Sequence, residues 1–199
     1  MFISFEGHDG SGKTTQAGLL ADWLRAEGRE VVATREPGGT PLGEAIRDVV
    51  LHGHEMVAWA EATLFASARA EHVHEVIRPA LERGAWVICD RYVDSSLVYQ
   101  GIARGLGVDA VLELNRAVTG GLMPERTFVL ALDADTARTR QGDNAYLDRI
   151  ERESEDFRRV VADGYRELGI LFPKRVRVID AEAPVGAIAE QVREQVRAL

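Results

Sequence analysis

The chain has 199 residues, of which 46% are hydrophobic and 28% are charged, and its formal net charge is -8 at pH 7. This length and balance are typical of one soluble globular domain, so we predict a single domain over residues 1–199. The acidic balance argues against a surface that coats nucleic acid, because such a surface needs an excess of positive charge.

The same overview limits where the protein works. No run of about 18 apolar residues is present, so we expect no membrane-spanning helix. The N-terminus enters a strand and a glycine-rich loop at once, which leaves no room for a signal peptide. Cys89 is the only cysteine and lies in an apolar run, which excludes an intrachain disulfide and indicates a buried thiol. We therefore expect a cytoplasmic protein.

Residues 7–14 read G-H-D-G-S-G-K-T and fit the phosphate-loop pattern G-x-x-x-x-G-K-[ST]. A β-prone run at 2–5 precedes the loop, and apolar residues at helical spacing follow it, which is the context that the pattern requires. The glycines let successive N–H groups point at an anion, and the new helix adds its positive end. The predicted nucleotide-binding residues are Gly7, His8, Asp9, Gly10, Ser11, Gly12, Lys13, Thr14 and Thr15. Lys13 is expected to reach the ATP phosphates, and the Thr14 hydroxyl to bind Mg²⁺.

The remaining strands and helices alternate along the chain. Further strands are predicted at 30–34, 85–89, 127–132 and 175–179, and helices from Thr40, over 58–83, from 94 and 109, over 148–168 and from Pro184. This order predicts an α/β fold with a parallel sheet of about five strands flanked by helices.

Two groups of polar residues are candidate metal ligands. Asp90 directly follows the apolar run 85–89, where phosphate-loop proteins place a carboxylate that holds Mg²⁺, although a helix cap is the alternative. His52 and His54 lack a third ligand, so a solvated turn is the favoured interpretation. His72 and His74 are expected at the surface.

A phosphate loop alone permits an ATPase, a GTPase or a small-molecule kinase. The guanine-specifying N-K-x-D of GTPases is absent from the sequence. Asp9 places a negative charge in a loop built to attract anions, which is unfavourable unless the carboxylate faces something else. The sugar hydroxyl of an acceptor nucleotide is a suitable target, and a solvent-facing aspartate is the alternative. This residue favours a kinase.

Five runs carry a resemblance to the thymidylate kinase family. They are F-E-G-H-D-G-S-G-K-T-T (5–15), T-R-E-P-G-G-T-P (34–41), L-F-A-S-A-R (64–69), D-R-Y-V-D-S-S-L-V-Y-Q-G (90–101) and L-D-R-I-E (147–151). The resemblance implies a P-loop nucleoside monophosphate kinase fold and transfer of the γ-phosphoryl group of ATP to dTMP, giving dTDP and ADP in dTTP biosynthesis. It also implies Mg²⁺ and a homodimer packed through apolar helices, including the stretch 62–77.

The resemblance assigns acceptor-site residues by the part of dTMP that each would contact. It implies that Phe65 stacks on thymine, that Arg69 hydrogen-bonds its carbonyl, and that Ser96 and Gln100 lie at the far edge of the base. Residues four apart share a helix face, which suits Phe65 and Arg69. It implies that the sugar is read by Asp9 through its 3′-hydroxyl and by Tyr99. It implies that the acceptor phosphate is gripped by Arg91, Arg35 and Arg47, with Glu36 organising the metal or these arginines.

The resemblance also implies a lid at about 136–149. Some family members carry an arginine in the phosphate loop where this chain has Gly10, so the lid is expected to supply that charge. Arg138 and Arg140 are the candidates, with a slight preference for Arg140 and with Arg149 in reserve. The segment departs from arginine-rich relatives because Asp143 and Asn144 interrupt it.

Two other functions remain open at this stage. One is a kinase for a different nucleoside monophosphate or for a deoxynucleoside, against which Phe65, Arg69 and Tyr99 argue. The other is a nucleotide-binding regulator without catalysis, against which the intact Lys13 and Asp90 argue.

Overall fold

A computed structural model describes residues 1–141 and 148–199 of the chain. Its five strands are all parallel and form one sheet in the order β2-β3-β1-β4-β5. The strands are β1 (Phe2–Glu6), β2 (Val31–Arg35), β3 (Trp86–Asp90), β4 (Arg126–Ala131) and β5 (Val176–Asp180). The predicted α/β fold with a five-stranded parallel sheet is confirmed. Since the strands run in one direction, their carboxyl ends share one edge of the sheet, and Glu6, Arg35 and Asp90 end there.

Helices cover both faces of this sheet. They are α1 (Lys13–Ala26), α2 (Pro41–His52), α3 (Ala58–His72), α4 (Arg78–Glu82), α5 (Val93–Ser96), α6 (Val108–Thr119), α7 (Ala134–Gln141), α8 (Glu155–Leu171) and α9 (Val185–Arg197). A π-helical segment, Val73–Ile77, joins α3 to α4, and a second, Leu97–Ala103, continues α5. The predicted long helix over 58–83 is therefore continuous, with a wider turn before Pro79, whose ring nitrogen has no hydrogen to donate.

Alternating side chains on the strands feed two hydrophobic cores. Phe2, Val87 and Val129 point to the face covered by α6, α8 and the two π-helical segments. Ile3 and Phe128 point to the opposite face, which α1 and α9 cover. Burial on both faces is typical of parallel sheets and explains why the strands read as continuous apolar runs.

The predicted helix start at residue 148 is wrong, because α8 begins at Glu155. The Asp148 carboxylate accepts hydrogen bonds from the backbone N–H groups of Ile150 and Glu151, at 2.8 Å each, and so forms a turn. The helix starts after Ser154, whose side chain accepts a hydrogen bond from the Phe157 N–H at 3.1 Å. Of the expected lid, α7 extends to Gln141, and residues 142–147, including Asp143 and Asn144, lie outside the described part of the chain.

The dimer contact through residues 62–77 stays a prediction, although Ala62 and Ile77 of that stretch lie in the core of this chain, 1% and 0% exposed. The expectation that His72 lies at the surface is wrong. His72 is 0% exposed and its Nδ1 lies 2.9 Å from a Glu36 oxygen. In residues 1–141 and 148–199, no helix is long and apolar enough to cross a membrane.

Candidate active site

The phosphate loop connects β1 to α1 and depends on its glycines. Gly7 has φ 137°, and a Cβ there would lie 2.6 Å from the Leu130 carbonyl oxygen, so only glycine fits. The last loop glycine, Gly12, is also left-handed, with φ 91°. Lys13 is 5% exposed, and its Nζ donates to the His8 carbonyl oxygen at 2.7 Å. The lysine is thus held inside the loop, where the sequence pattern predicts it.

Asp9 lies between two cations. Its Oδ1 is 2.8 Å from Arg91 Nη2 and 3.3 Å from Lys13 Nζ. Desolvation would raise the pKa of Asp9, but the charges of Arg91 and Lys13 hold it well below its usual range. Burial lowers the pKa of Lys13, and the nearby Arg91 charge lowers it further, while Asp9 opposes both effects. The half-exposed Asp9 is therefore an ionised, paired carboxylate, which removes the simple alternative of a solvated aspartate.

The two predicted metal ligands lie together. Thr14 Oγ1 donates a hydrogen bond to Asp90 Oδ2 at 2.5 Å, which joins the start of α1 to the end of β3. A hydroxyl and a carboxylate are the hard oxygen ligands that Mg²⁺ prefers. Within the described ranges, no group of three or more His, Cys, Asp or Glu side chains could hold a metal ion. Mg²⁺ is usually held by one or two carboxylates and the phosphates of its substrate, so Thr14 and Asp90 could hold it only together with a bound nucleotide.

Three arginines from different elements converge on the phosphate loop. They line a cavity of about 430 Å³, which we call the Lys13 cavity; its walls are Asp9, Gly10, Gly12, Lys13, Thr14, Thr15, Arg35, Glu36, Arg47, Asp90 and Arg91. Arg35, at the end of β2, pairs with Glu44 at 2.8 Å. Arg47, on α2, donates to the Pro37 carbonyl oxygen at 3.1 Å. The predicted phosphate-gripping arginines are therefore brought together beside Lys13.

Arg91 is held by a buried polar network. Its Nη1 donates to the Ser95 hydroxyl at 3.0 Å and to the Tyr165 hydroxyl at 2.8 Å. Glu6, which is 0% exposed, accepts from the Tyr92 N–H at 2.7 Å, and its other oxygen lies 2.6 Å from the Ser95 hydroxyl. Burial, together with repulsion from the nearby Asp94, raises the pKa of Glu6 to about 8. Glu6 thus holds the backbone N–H of Tyr92, directly after Arg91, and the Ser95 hydroxyl that Arg91 contacts.

A second cavity lies beside α3 and has a volume of about 100 Å³. We call it the Phe65 cavity; its walls are Asp9, Glu36, Pro37, Arg47, Leu51, Phe65, Arg69, Arg91, Ser95, Ser96, Tyr99, Gln100, Asp148 and Ile150. Phe65 and Arg69 lie one turn apart and both face it, as their spacing predicts. Tyr99 comes from the second π-helical segment, and Arg91 Cζ lies 5.7 Å from the centre of its ring. Every predicted acceptor residue except Arg35 lines this cavity.

The Arg69 side chain is 2% exposed and almost fully hydrogen-bonded. It donates to Glu36 at 2.7 Å, to Ser96 Oγ at 3.0 Å, to the Tyr92 carbonyl oxygen at 3.0 Å and to Asn115 Oδ1. A guanidinium has five N–H groups, so one N–H on Nη2 remains for a ligand. The two oxygens of Glu36 contact Arg69 Nε and the His72 ring, and Glu36 also lines the Lys13 cavity, so its role towards the metal or the phosphate arginines stays a prediction.

Another buried carboxylate, that of Glu61, organises the far end of the Phe65 cavity. Glu61 is 1% exposed and accepts from Gln100 Nε2 at 2.8 Å, from Arg149 Nη2 at 2.6 Å and from Arg104 Nη2 at 3.2 Å. Arg149 also donates from Nε to the Val50 carbonyl oxygen at 2.9 Å. Arg149, the reserve candidate for catalysis, is therefore buried and engaged in holding this end of the cavity.

The two lid arginines point to different places. Arg138 lines a small cavity of about 40 Å³ together with His8, Asp9 and Tyr99, beside the phosphate loop. Arg140 Nη1 donates to the Ala181 carbonyl oxygen at 2.8 Å, in the loop after β5. In this conformation Arg138, rather than the slightly preferred Arg140, lies closer to the phosphate loop.

Sequence reasoning missed Glu6 and Glu61. Both are buried carboxylates that contact site residues rather than a ligand. A signal was available for each, since Glu6 ends a strand directly before the phosphate loop, and Glu61 precedes Phe65 by four residues on the same helix face. Charged residues are rarely fully buried without a partner, so an acid at such a position indicates a network.

A parallel sheet with a phosphate loop after β1, an acid at the end of β3 and a second, arginine-walled cavity next to the loop defines a P-loop nucleoside monophosphate kinase. The family model for thymidylate kinase matches residues 5–192. The chain belongs to the thymidylate kinase family.

Individual members of the family match this chain over nearly its full length. The chain is 50% identical over 199 residues to a thymidylate kinase of Symbiobacterium thermophilum, with 98% of this chain and 92% of the relative covered. It is 51% identical over 185 residues to a thymidylate kinase of Pelotomaculum thermopropionicum, and the match covers 90% of this chain and 85% of the relative. A crystal structure of thymidylate kinase from Ehrlichia chaffeensis has a TM-score of 0.80 and 34% identity, and the match covers 99% of this chain and 98% of that chain.

Proposed function

We propose that this protein transfers the γ-phosphoryl group of ATP to dTMP, producing dTDP and ADP for dTTP biosynthesis. One observation carries the proposal: the Phe65 cavity and the Lys13 cavity share Asp9, Glu36, Arg47 and Arg91 as walls. A nucleotide with its base in the Phe65 cavity has its phosphate at this shared wall, beside the phosphate loop. The two phosphates that must react would meet there.

The Phe65 cavity offers what a thymine base requires. Phe65 provides an aromatic face for stacking, and the remaining Nη2 N–H of Arg69 is a donor for a base carbonyl. Ser96 Oγ accepts from Arg69 and so fixes the guanidinium in position. Gln100 supplies a second polar group at the same edge of the base.

The sugar would lie between the two cavities. Tyr99 forms one side of this space, where its ring would crowd a ribose 2′-hydroxyl and so favour a deoxynucleotide. Asp9 lines both cavities, and its ionised carboxylate is a hydrogen-bond acceptor for the 3′-hydroxyl. Because the same carboxylate pairs with Arg91, sugar and phosphate recognition share one residue.

Catalysis would come from positioning and charge neutralisation, which dominate phosphoryl transfer. An acceptor phosphate oxygen forms a bond to the γ-phosphorus as the bond to the ADP oxygen breaks. Lys13 would hold the ATP phosphates, Arg91 with Arg35 and Arg47 would hold the acceptor phosphate, and Arg138 and Arg140 are the lid candidates for the transferred group. Thr14 and Asp90 would hold Mg²⁺, which when bound supplies positive charge to the ATP phosphates.

Turnover measured with a panel of acceptors tests the proposal. ADP release from ATP in a coupled assay, with dTMP, dUMP, dCMP, dAMP, dGMP and thymidine, should be fastest with dTMP. A clear preference for another acceptor would indicate the alternative kinase, and ATP binding without ADP release with any acceptor would indicate the regulator.

We also propose a cytoplasmic homodimer. The buried thiol of Cys89 is compatible with a reducing compartment, since the chain has no other cysteine. Exposed apolar residues on α2 and before and within the first turn of α3, among them Val49, Val57 and Trp59, are available for a second copy, unlike the buried residues of 62–77. Analytical ultracentrifugation should give twice the chain mass of 21.9 kDa, and Trp59→Glu should shift it towards the monomer.

A further inference from the structure

We propose that Glu61 sets the choice of acceptor base by fixing which atom of the Gln100 side-chain amide faces the Phe65 cavity. The inference rests on the proposed function, in which the acceptor base occupies that cavity. Gln100 is 1% exposed, lines the cavity, and places its Nε2 2.8 Å from Glu61 Oε1. Glu61 itself does not line the cavity, so it acts through Gln100 as a positioning residue.

The chemistry of the pair allows one orientation of the amide. Burial disfavours the charged form of Glu61, but hydrogen bonds from Gln100, Arg104 and Arg149 outweigh it and lower the pKa of Glu61. An ionised carboxylate only accepts hydrogen bonds, so the amide must turn its NH₂ group towards it. Gln100 Oε1 is then left over, and among the described residues it has no hydrogen-bond partner.

Both arginines keep the carboxylate from turning. Arg149 lies at Oε2 at 2.6 Å, and Arg104 lies within 3.3 Å of both oxygens. The side chain of Arg149 is itself fixed by the Val50 carbonyl oxygen. The Glu61 carboxylate is therefore held in one position, and this fixes the position of the Gln100 Oε1 acceptor.

A fixed acceptor distinguishes thymine from cytosine. Thymine carries an N–H at N3, which can donate to Gln100 Oε1, whereas cytosine carries a lone pair there. With cytosine in the cavity, two buried acceptors would face each other without a proton between them. A buried polar group left unpaired is strongly unfavourable, and sites built to pair with a substrate N–H reject analogues that lack it.

The variant Glu61→Gln should reverse the orientation of the Gln100 side-chain amide. Its single oxygen stays with Arg149 and Arg104, which can only donate, so its NH₂ group faces Gln100. The Gln100 amide must then flip to accept, and its NH₂ group turns to the base, where it matches N3 of cytosine. The probe is 5-methyl-dCMP, which has the methyl group and sugar of dTMP and differs from it only at N3, which lacks the N–H, and at C4, which carries an amino group in place of the carbonyl.

The experiment compares kcat/KM for dTMP and for 5-methyl-dCMP. In E61Q the ratio of the two should fall by about tenfold or more, mainly through KM, because one buried hydrogen bond is mispaired. In a Gln100→Leu background, E61Q should change the ratio by less than about twofold, since the coupling requires the amide. Glu153→Gln is the matched control, because Glu153 pairs with the same Arg104 at 2.5 Å but does not contact Gln100.

Each outcome decides the inference. An unchanged ratio in folded E61Q, or an equal loss with both acceptors, overturns it, as does a wild-type protein that turns over both acceptors equally well. If E61Q does not fold, E61Q/R104M removes the arginine whose Nε lies 3.3 Å from Glu61 Oε1 and would face the new NH₂ group, keeps Arg149, and carries the same comparison. Failure of the wild-type protein to phosphorylate dTMP would refute the proposed function instead, so the two failures are distinguishable.

Discussion

Arg91 has a left-handed backbone, with φ 70°, which for a residue with a Cβ costs about 1–3 kcal/mol. The surrounding network holds it in this state, since Glu6 binds the next backbone N–H and Ser95, Tyr165 and Asp9 bind the guanidinium. The strain places one side chain at the wall shared by the two cavities. A residue in that position can contact both reacting phosphates.

Phe65 gives a prediction about base stacking. Stacking of a base on an aromatic ring contributes roughly 1–3 kcal/mol, so Phe65→Ala should raise the dissociation constant for dTMP by roughly 5- to 150-fold. ATP affinity should be nearly unchanged, because Phe65 does not line the Lys13 cavity. Isothermal titration calorimetry with each nucleotide separates the two effects. Equal weakening of dTMP and ATP binding would argue against this placement.

Asp9 gives a prediction about the sugar. If its carboxylate accepts from the 3′-hydroxyl, the wild-type protein should use dTMP better than its 3′-deoxy analogue, and Asp9→Ala should narrow that gap in kcat/KM. Both acceptors should also lose activity in the variant, because Arg91 and Lys13 lose their partner. A gap of unchanged size would mean that Asp9 acts only by holding these two cations.

Glu6 gives a prediction about pH. Its pKa of about 8 in the folded protein exceeds the ordinary value of 4.5, so between these values folding takes up a proton and the free energy of unfolding falls as pH rises. His8, whose pKa burial lowers to about 4, has the opposite effect only below pH 6.5. Between pH 6.5 and 8, Glu6 should therefore contribute a fall of up to about 1.4 kcal/mol per pH unit.

Glu6→Gln should remove that contribution. Urea unfolding at several pH values from 6.5 to 8 measures the slope for the wild-type protein and the variant. Identical slopes would show that Glu6 is ionised in the folded protein across this range.

Three of the five strands, β1, β2 and β3, end in residues of the candidate site. The apolar pattern predicted strands ending one residue early at Phe5, Thr34 and Cys89, because Glu6, Arg35 and Asp90 are charged and break the apolar run. In the structure each is the last residue of its strand. Hydrophobic periodicity reports burial, so it locates strands well but misses charged residues at the strand ends, such as Glu6, whose partners Tyr92 and Ser95 lie far away in the sequence.

The candidate site was predictable where its functional residues lie within one short segment of the sequence. The phosphate loop follows from its own pattern, whereas the roles of Phe65 and Arg69 came from the family resemblance, and their spacing predicts only that they share a helix face. Glu61 and Glu6 were not predicted, because their partners lie 39 residues or more away and meet only through tertiary packing. Long-range contacts of this kind leave no periodic signal in a single sequence.

The α7 helix gives a prediction about catalysis. An arginine that neutralises the transferred group contributes on the order of 10³–10⁵ in rate in phosphoryl-transfer enzymes. Since Arg138 lies beside the phosphate loop and Arg140 is bound to the Ala181 carbonyl oxygen, Arg138→Ala should lower kcat more than Arg140→Ala if this conformation is the active one. The reverse order would mean that α7 rearranges when ATP binds. Nearly full kcat in the double variant would rule out both.

At the scale of the whole molecule, parallel strands gather the chemistry at one edge of the sheet. The phosphate loop follows β1, Arg35 ends β2 and Asp90 ends β3, and these three strands are neighbours in the order β2-β3-β1. Helices α2 and α3 then close the acceptor side with Arg47, Phe65 and Arg69. In the proposed complex, the acceptor base enters the Phe65 cavity and its phosphate reaches Arg91.

A crystal structure with dTMP and a non-hydrolysable ATP analogue would show this placement. Thymine should lie against Phe65 with its N3 within hydrogen-bond distance of Gln100 Oε1, and its phosphate should lie on Arg91, in line with the γ-phosphate held by Lys13. A dTMP base bound outside the Phe65 cavity, or a phosphate away from Arg91, would contradict it.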